Sequence, residues 1–178
     1  MKRIIILFIL ILANISLSIA QIKTKGSFSS LVTPQNIDLE IDFTSGTYKG
    51  LTYDELLNLV CPGTNQTEQW AIKASSLRGS FMHYFVERVA PKGYMVGSYK
   101  DGQARYRLTM QINYVSPKGD VSATYIITDI NTGEEVVEFK DTSEGGMFGT
   151  FMNLFGDGLR EAGDRAGKFF IKGVKRGK

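Results

Sequence analysis

Cysteine is all but missing from this 178-residue chain, with Cys61 alone. No intrachain disulfide can form, and neither a catalytic cysteine pair nor a thiolate zinc site can be assembled. Histidine is as scarce. His83 stands by itself, and no partner motif accompanies it that would make it a catalytic base. Net charge is also small: the formal +3 falls to +1 once Lys2 and Arg3 are set aside, too near neutrality for a general electrostatic grip on nucleic acid. Phosphate-binding loops are absent in both common forms. GDRAGKFF places Phe169 after Gly167 and Lys168, where a P-loop needs Ser or Thr, and GDGLREAG has the wrong second spacing for a dinucleotide fingerprint. The apolar run at residues 4–13 is well short of the about 20 residues that a membrane span needs.

That run has a different meaning in its setting. MKRIIILFILILANISLSIA begins with Lys2 and Arg3 and ends with small residues at Ser18 and Ala20, which predicts a secretory signal peptide over residues 1–20, cut before Gln21. A retained anchor is the alternative. Gln21, not a lipid-accepting cysteine, stands directly after the cut, so the expected product is not a lipoprotein and is periplasmic or secreted. What remains suffices for one domain with a real core. Residues 21–35 are polar with Gly and Pro and read as a flexible lead-in; residues 36–178 form the domain.

In NIDLEIDF, Ile37, Leu39, Ile41 and Phe43 alternate with Asp38, Glu40 and Asp42, the period of a half-buried strand. The acidic row lacks the folded-back loop of a calcium site and reads as a solvated face. Thr52 with Glu55 makes a capping box ahead of Leu56, Leu57 and Leu59, which predicts a short helix. Thr67 caps a longer one, ended by Pro91 and Gly93. On this second helix Trp70, Ala74, Leu77, Phe81, Tyr84 and Phe85 form the core stripe, while Ile72, Ser75, Gly79, Met82 and Val86 make a second face, so two faces are expected to be covered. His83 falls on the polar flank.

A strand at YMVGS is followed by ARYRLTMQINYV, in which Tyr106, Leu108, Met110, Ile112 and Tyr114 alternate with Arg105, Arg107, Thr109, Gln111 and Asn113. VSATYIITDI and EEVVEF follow, joined by the short turns SPKGD and NTG, which predicts an antiparallel meander. The expected fold is therefore α+β, a meander sheet with a long N-terminal and a long C-terminal helix packed on one face. Arg105 and Arg107 lie across the strand from the aromatics, whereas a nucleic-acid stacking platform needs both on one surface. Nucleic acid is not an expected partner.

The segment GGMFGTFMNLFGDGLREAGDRAGKFF, residues 145–170, has helical spacing yet carries seven glycines. Phe148, Phe151, Met152, Phe155, Leu159, Ala162, Ala166, Phe169 and Phe170 form an apolar stripe. Glu161 and Arg165, and Asp164 and Lys168, stand in the favourable acid-before-base spacing. Gly145, Gly149, Gly156, Gly163 and Gly167 fall within roughly 40° of one another, at ~100° per residue, on one edge of the stripe. Each interior glycine costs about 1 kcal/mol relative to alanine, so the groove Gly149, Gly156, Gly163 and Gly167 is the candidate packing or interaction surface, where another backbone comes close. The occupant is the domain itself, a second copy, or a membrane partner in the small-xxx-small manner. Gly158 points ~140° away, toward the charged side, and a break near residues 156–158 is an open alternative. The basic ending GKFFIKGVKRGK reads as the dipole-matching end of the helix, with contact to an anionic membrane as the alternative.

DFTSGTYKGLTYDELLN, ARYRLTMQINYV, INTGEEVVEF and the glycine-rich ending together resemble an uncharacterised family of exported Bacteroidetes proteins, over residues 36–172. The glycine-rich ending is the most specific part. That family implies no catalytic residues. The layout is similar, more loosely, to envelope α+β modules: the TolB amino-terminal domain, the lipoprotein activators of penicillin-binding proteins and the curli secretion protein. The shared pattern falls on Ala104, Tyr106, Leu108, Asp129, Thr132, Gly133 and Glu134. Lipobox and activator or pore-forming extensions are not recognisable, and the likeness implies a fold and no activity.

No catalytic, cofactor or metal site is therefore expected. The function expected is a non-enzymatic envelope module that binds another protein. Its alternatives are a self-assembling or membrane-peripheral protein using the grooved helix, and a hydrolase built on dispersed carboxylates such as Asp38, Glu40 or Glu68.

Overall fold

A computed structural model of the chain describes residues 24–100 and 102–177; the expected signal peptide lies outside them. The fold is α+β. Seven strands form one mostly antiparallel sheet: β1 (Thr24–Gly26), β2 (Asn36–Asp42), β3 (Thr47–Tyr48), β4 (Met95–Gly97), β5 (Tyr106–Val115), β6 (Val121–Asp129) and β7 (Glu135–Ser143). Among the described residues three α-helices complete it: α1 (Tyr53–Val60), α2 (Gln66–Val89) and α3 (Phe151–Arg176).

The strand order is β1-β7-β6-β5-β2-β4, with β3 on β5. Only β5, β6 and β7 form the expected meander. β4 is not part of it, because β2 lies between β4 and β5 and runs parallel to both. Alternation in the sequence says which face a side chain takes, not which strand lies alongside. A parallel neighbour requires a crossover, and α1 with α2 supplies it.

The helices assemble as their patterns dictate. Thr52 and Glu55 form the complete capping box at α1. α2 starts two residues earlier than the Thr67 cap suggests, with Asn65 at its N-cap, and its core stripe of Trp70, Leu77, Phe81, Phe85 and Val89 is buried. The stripe of α3 is buried at Phe155, Leu159, Ala162, Ala166 and Phe170. Both helices cover one face of the sheet: Phe81 stacks on Tyr125 at 6.1 Å between ring centroids and Phe139 meets Phe169 at 4.6 Å. Burial pushes the Tyr125 phenol well above its ordinary pKa, so it stays neutral in the core.

Three expectations change. The lead-in joins the domain from Thr24 onward: β1 pairs with β7, Leu31 is fully buried, and Phe28 packs on Phe169 and Phe170. Four apolar residues scattered through a polar segment, Ile22, Phe28, Leu31 and Val32, give no periodic signal. Tyr114 is 42% exposed, because a bulge between Ile112 and Tyr114 shifts the alternation and turns Val115 inward. Finally, α3 is continuous through residues 156–158 and begins only at Phe151. Gly145, Phe148 and Gly149 therefore precede the helix, and Gly149 has φ +127°.

Candidate interaction surfaces

The candidate glycine groove divides once the helix boundaries are known. Gly149 is outside it. Gly156 faces α2 loosely, a Cβ placed there meeting only Ser80 Oγ at 3.9 Å. At Gly163 a Cβ would overlap the Phe81 carbonyl oxygen and lie 3.2 Å from Phe85 N, and at Gly167 it would lie 2.7 Å from Arg88 Cβ. The occupant of this face is α2 of the same chain. Gly158 is tightly packed as well, contrary to its place on the wheel. The β5–β6 turn comes down on the opposite side, where a Cβ would overlap Gly119 O, and Ser143 Oγ donates to Gly158 O at 2.8 Å. A single-helix wheel cannot show a second contacting element.

Ion pairs fasten α3 on both flanks. Asp164 accepts from Arg88 of α2 at 2.5 Å and from Lys168 at 2.5 Å. Burial by itself would raise the Asp164 carboxyl, but the hydrogen bonds from Lys168 and Arg88 outweigh it and hold the pKa below the usual range. Arg165 binds Asp141 of β7 with two bonds of 2.7 and 2.6 Å. Beside Arg88 and Asp164 a polar cleft of about 590 Å³ opens, lined also by Tyr84, Glu87, Glu144 and Arg160.

The carboxylates of the hydrolase alternative fall in two places. Asp38 and Glu40 both bind Arg107, at 2.9 and 3.4 Å, on the open sheet face. Asp42 accepts from Thr44 and Ser45 in the turn that follows, whereas Glu68 sits in the first turn of α2. His83 is exposed and lies 3.3 Å from Glu87; Cys61 is fully buried. Among the described residues no group of three or more His, Cys, Asp or Glu is placed to hold a metal ion.

The second face of α2 is only partly covered: Gly79, Met82 and Val86 are half-buried, and Met82 packs against the core. Ile72 is 74% exposed, and Gly79, Met82, Val86, Ala90 and Pro91 line one wall of a mainly apolar groove of about 750 Å³ whose other wall is Val96 of β4. A Cβ at Gly79 meets nothing within 4 Å. β4 is the last strand on this side. In a parallel ladder one residue turns both its N–H and its C=O to the same neighbour, and Met95 N–H donates to Gln35 O at 3.3 Å. Val96 therefore presents both backbone groups outward, beside Met95, which is 60% exposed. Beyond β4 the free edge of β2 is capped by the Arg78 guanidinium, which donates to Leu39 O.

Sequence reasoning identified the second face of α2 but not its openness, which depends on how short β4 is. It also missed a second exposed apolar feature. Met147 and Phe148, between β7 and α3, are 86% and 85% exposed; the glycines on either side in GGMFG were the available signal.

No family model matches the chain, and no curated protein does. Solved structures give distant likenesses. PelC from Paraburkholderia phytofirmans, solved as a dodecamer, is 13% identical, with 82% of this chain and 97% of that one covered at a TM-score of 0.38. A Xanthomonas campestris protein of the family DUF330 is 8% identical, with 80% and 86% covered and a TM-score of 0.41. An uncharacterised protein is 10% identical, covering 77% and 99%, at 0.40. At these values the likenesses carry no argument about activity or assembly.

Among the described residues no helix is long and apolar enough to cross a membrane.

Proposed function

We propose that this chain is an exported, non-catalytic binding module whose α2–β4 groove receives an extended, partly apolar segment of a partner protein as an added strand. The observation that carries this reading is the outward-facing backbone of Val96 beside an unfilled apolar groove. Strand addition takes its affinity from main-chain hydrogen bonds and its specificity from pockets for alternate side chains, and the edge and the groove supply one of each. An exposed edge without such a use is a liability that proteins blunt. The adjoining edge of β2 is blunted in this way by Arg78, whereas three-residue β4 is protected by its shortness alone.

Gly79→Leu tests the proposal without damaging the fold. The site is helical and open, so leucine stabilises by somewhat under about 1 kcal/mol through propensity alone, while its side chain fills the groove. Partner capture from the native envelope is expected to fall sharply for this variant at equal or higher thermal stability. Undiminished capture of the same partner contradicts the proposal.

A further inference from the structure

Arg78 differs from the other arginines. Arg88, Arg105, Arg107, Arg160 and Arg165 each pair with a carboxylate, and Arg176 is exposed at the end of α3. Arg78 is half-buried, yet among the described residues no carboxylate lies within 4.0 Å of its nitrogens. Its bond to Leu39 O uses one N–H, and Nε is buried with no acceptor. A guanidinium carries five N–H donors in a planar fork that matches a carboxylate, and buried donors are ordinarily paired.

The domain brings no anion to this point. One helical turn away on α2 stand Ala74, Ser75, Phe81 and Met82. Leu39 and Ile41 of β2 pack toward the core. The acids that alternate with them, Asp38 and Glu40, are held by Arg107 on the open sheet face.

The position of Arg78 ties it to the open edge. β4 pairs with β2 only as far as Gly97, opposite Asp38. The chain then turns onto the open face, where Tyr99 N–H donates to Asp38 Oδ1 at 3.1 Å. Arg78 takes the place beside Leu39 that a longer β4 would fill. At ~100° per residue it lies between the core stripe and the groove face of α2. Being next to Gly79 in the groove wall, it stands at the end of the groove past Gly97.

We infer that Arg78 selects the segment that adds to β4, by binding an acidic side chain of that segment just past Gly97. This selection presupposes strand addition at β4. Charge complementarity names the chemistry: the two oxygens of an Asp or Glu carboxylate match the fork. The pair forms among apolar neighbours that exclude water, where it discriminates more strongly than a pair on an open surface. Arg78 reaches the edge from the helical layer, so it meets side chains that stand on the Val96 side of the added strand. A chain-end carboxylate stays in the plane of the sheet instead.

The test selects binders of the purified full chain from a random peptide library displayed between fixed flanks. The expected binders carry apolar residues at alternate positions and Asp or Glu at one position near an end, and Gly79→Leu abolishes their binding. For a synthetic peptide of the selected sequence, replacing that acid with its amide should weaken binding about 30-fold, a readout that requires no change in the protein. Arg78→Gln, its folding checked by thermal unfolding, should weaken the acidic peptide equally and bind the two peptides alike. Peptides that depend on Gly79 but show no preference for an acid overturn the inference and leave strand addition standing. An acid preference that survives in Arg78→Gln, or binding only by peptides with a free carboxyl end, overturns it in the same way. No peptide that depends on Gly79 overturns strand addition and the inference together.

Discussion

Alanine at Gly156 and at Gly163 should move stability in opposite directions, although both sites are buried in the middle of α3 and alanine is the better helix former at each. Propensity favours either substitution by about 1 kcal/mol. At Gly156 the new methyl reaches only Ser80 Oγ at 3.9 Å, an ordinary contact, so the gain is kept. At Gly163 it comes nearer than 3.0 Å to Phe81 O, with Phe81 C at 3.1 Å and Phe85 N at 3.2 Å. These are backbone atoms of a packed helix and cannot rotate away. The two helices must separate, and overpacking of this kind costs about 1–3 kcal/mol. The upper end applies to backbone, which leaves a net loss of about 2 kcal/mol after the propensity gain is subtracted. For a domain of this size 1 kcal/mol shifts Tm by about 2–4 °C. Thermal unfolding should therefore place Gly156→Ala about 3 °C above the parent and Gly163→Ala about 6 °C below it. A Gly163→Ala variant as stable as the parent would refute the close approach of α2 and α3.

Gly158→Ala should be destabilised to a similar degree as Gly163→Ala in the same assay, because Gly119 O occupies the position of its methyl. Arg165→Met strands the Asp141 carboxylate, whose side chain is 3% exposed. A broken buried pair costs about 3–5 kcal/mol, and the lower end is expected because the guanidinium is 38% exposed; urea midpoints measure it. Asp164 and Asp120 both have folded-state pKa values held below the ordinary one, Asp120 by the Gly145 N–H and the Ser116 hydroxyl. Their stabilisation is complete above about pH 4 and is lost as pH falls through the folded values. Asp164→Asn should flatten the acid limb of a stability–pH curve, and an unchanged limb would remove Asp164 from the account. Cys61→Ser should cost about 1–3 kcal/mol by burying a hydroxyl, whereas His83→Ala, at an exposed site, should leave unfolding within about 0.5 kcal/mol of the parent.

Much of the fold was legible because its signals are local. Thr52 and Glu55 announce a cap within one turn, and the alternation from Tyr106 to Ile112 is the pleat itself. The place of β2 was not legible: its parallel pairing with β4 and β5 links residues far apart in sequence, and no periodicity encodes which strands are neighbours. The glycines show the same division. The wheel grouped Gly156, Gly163 and Gly167 correctly on one face, yet it could not tell that Gly149 precedes the helix or that the β5–β6 turn presses on Gly158. The interaction surfaces were the least legible. Ile72 looks like a covered position yet is exposed, Met82 and Val86 prove only half-buried, and Phe148 looks like part of the stripe until α3 starts three residues later.

The central claim is that a partner adds a strand to β4, and amide hydrogen exchange at Val96 tests it most directly. In the free chain the Val96 N–H faces solvent and should exchange quickly, whereas Met95, bonded to Gln35 O at 3.3 Å, should be slower. With the captured partner bound, Val96 should become strongly protected while amides of the β1 edge stay unchanged, and the protection should vanish in Gly79→Leu. Fast exchange at Val96 in a fully bound complex would contradict strand addition at this edge.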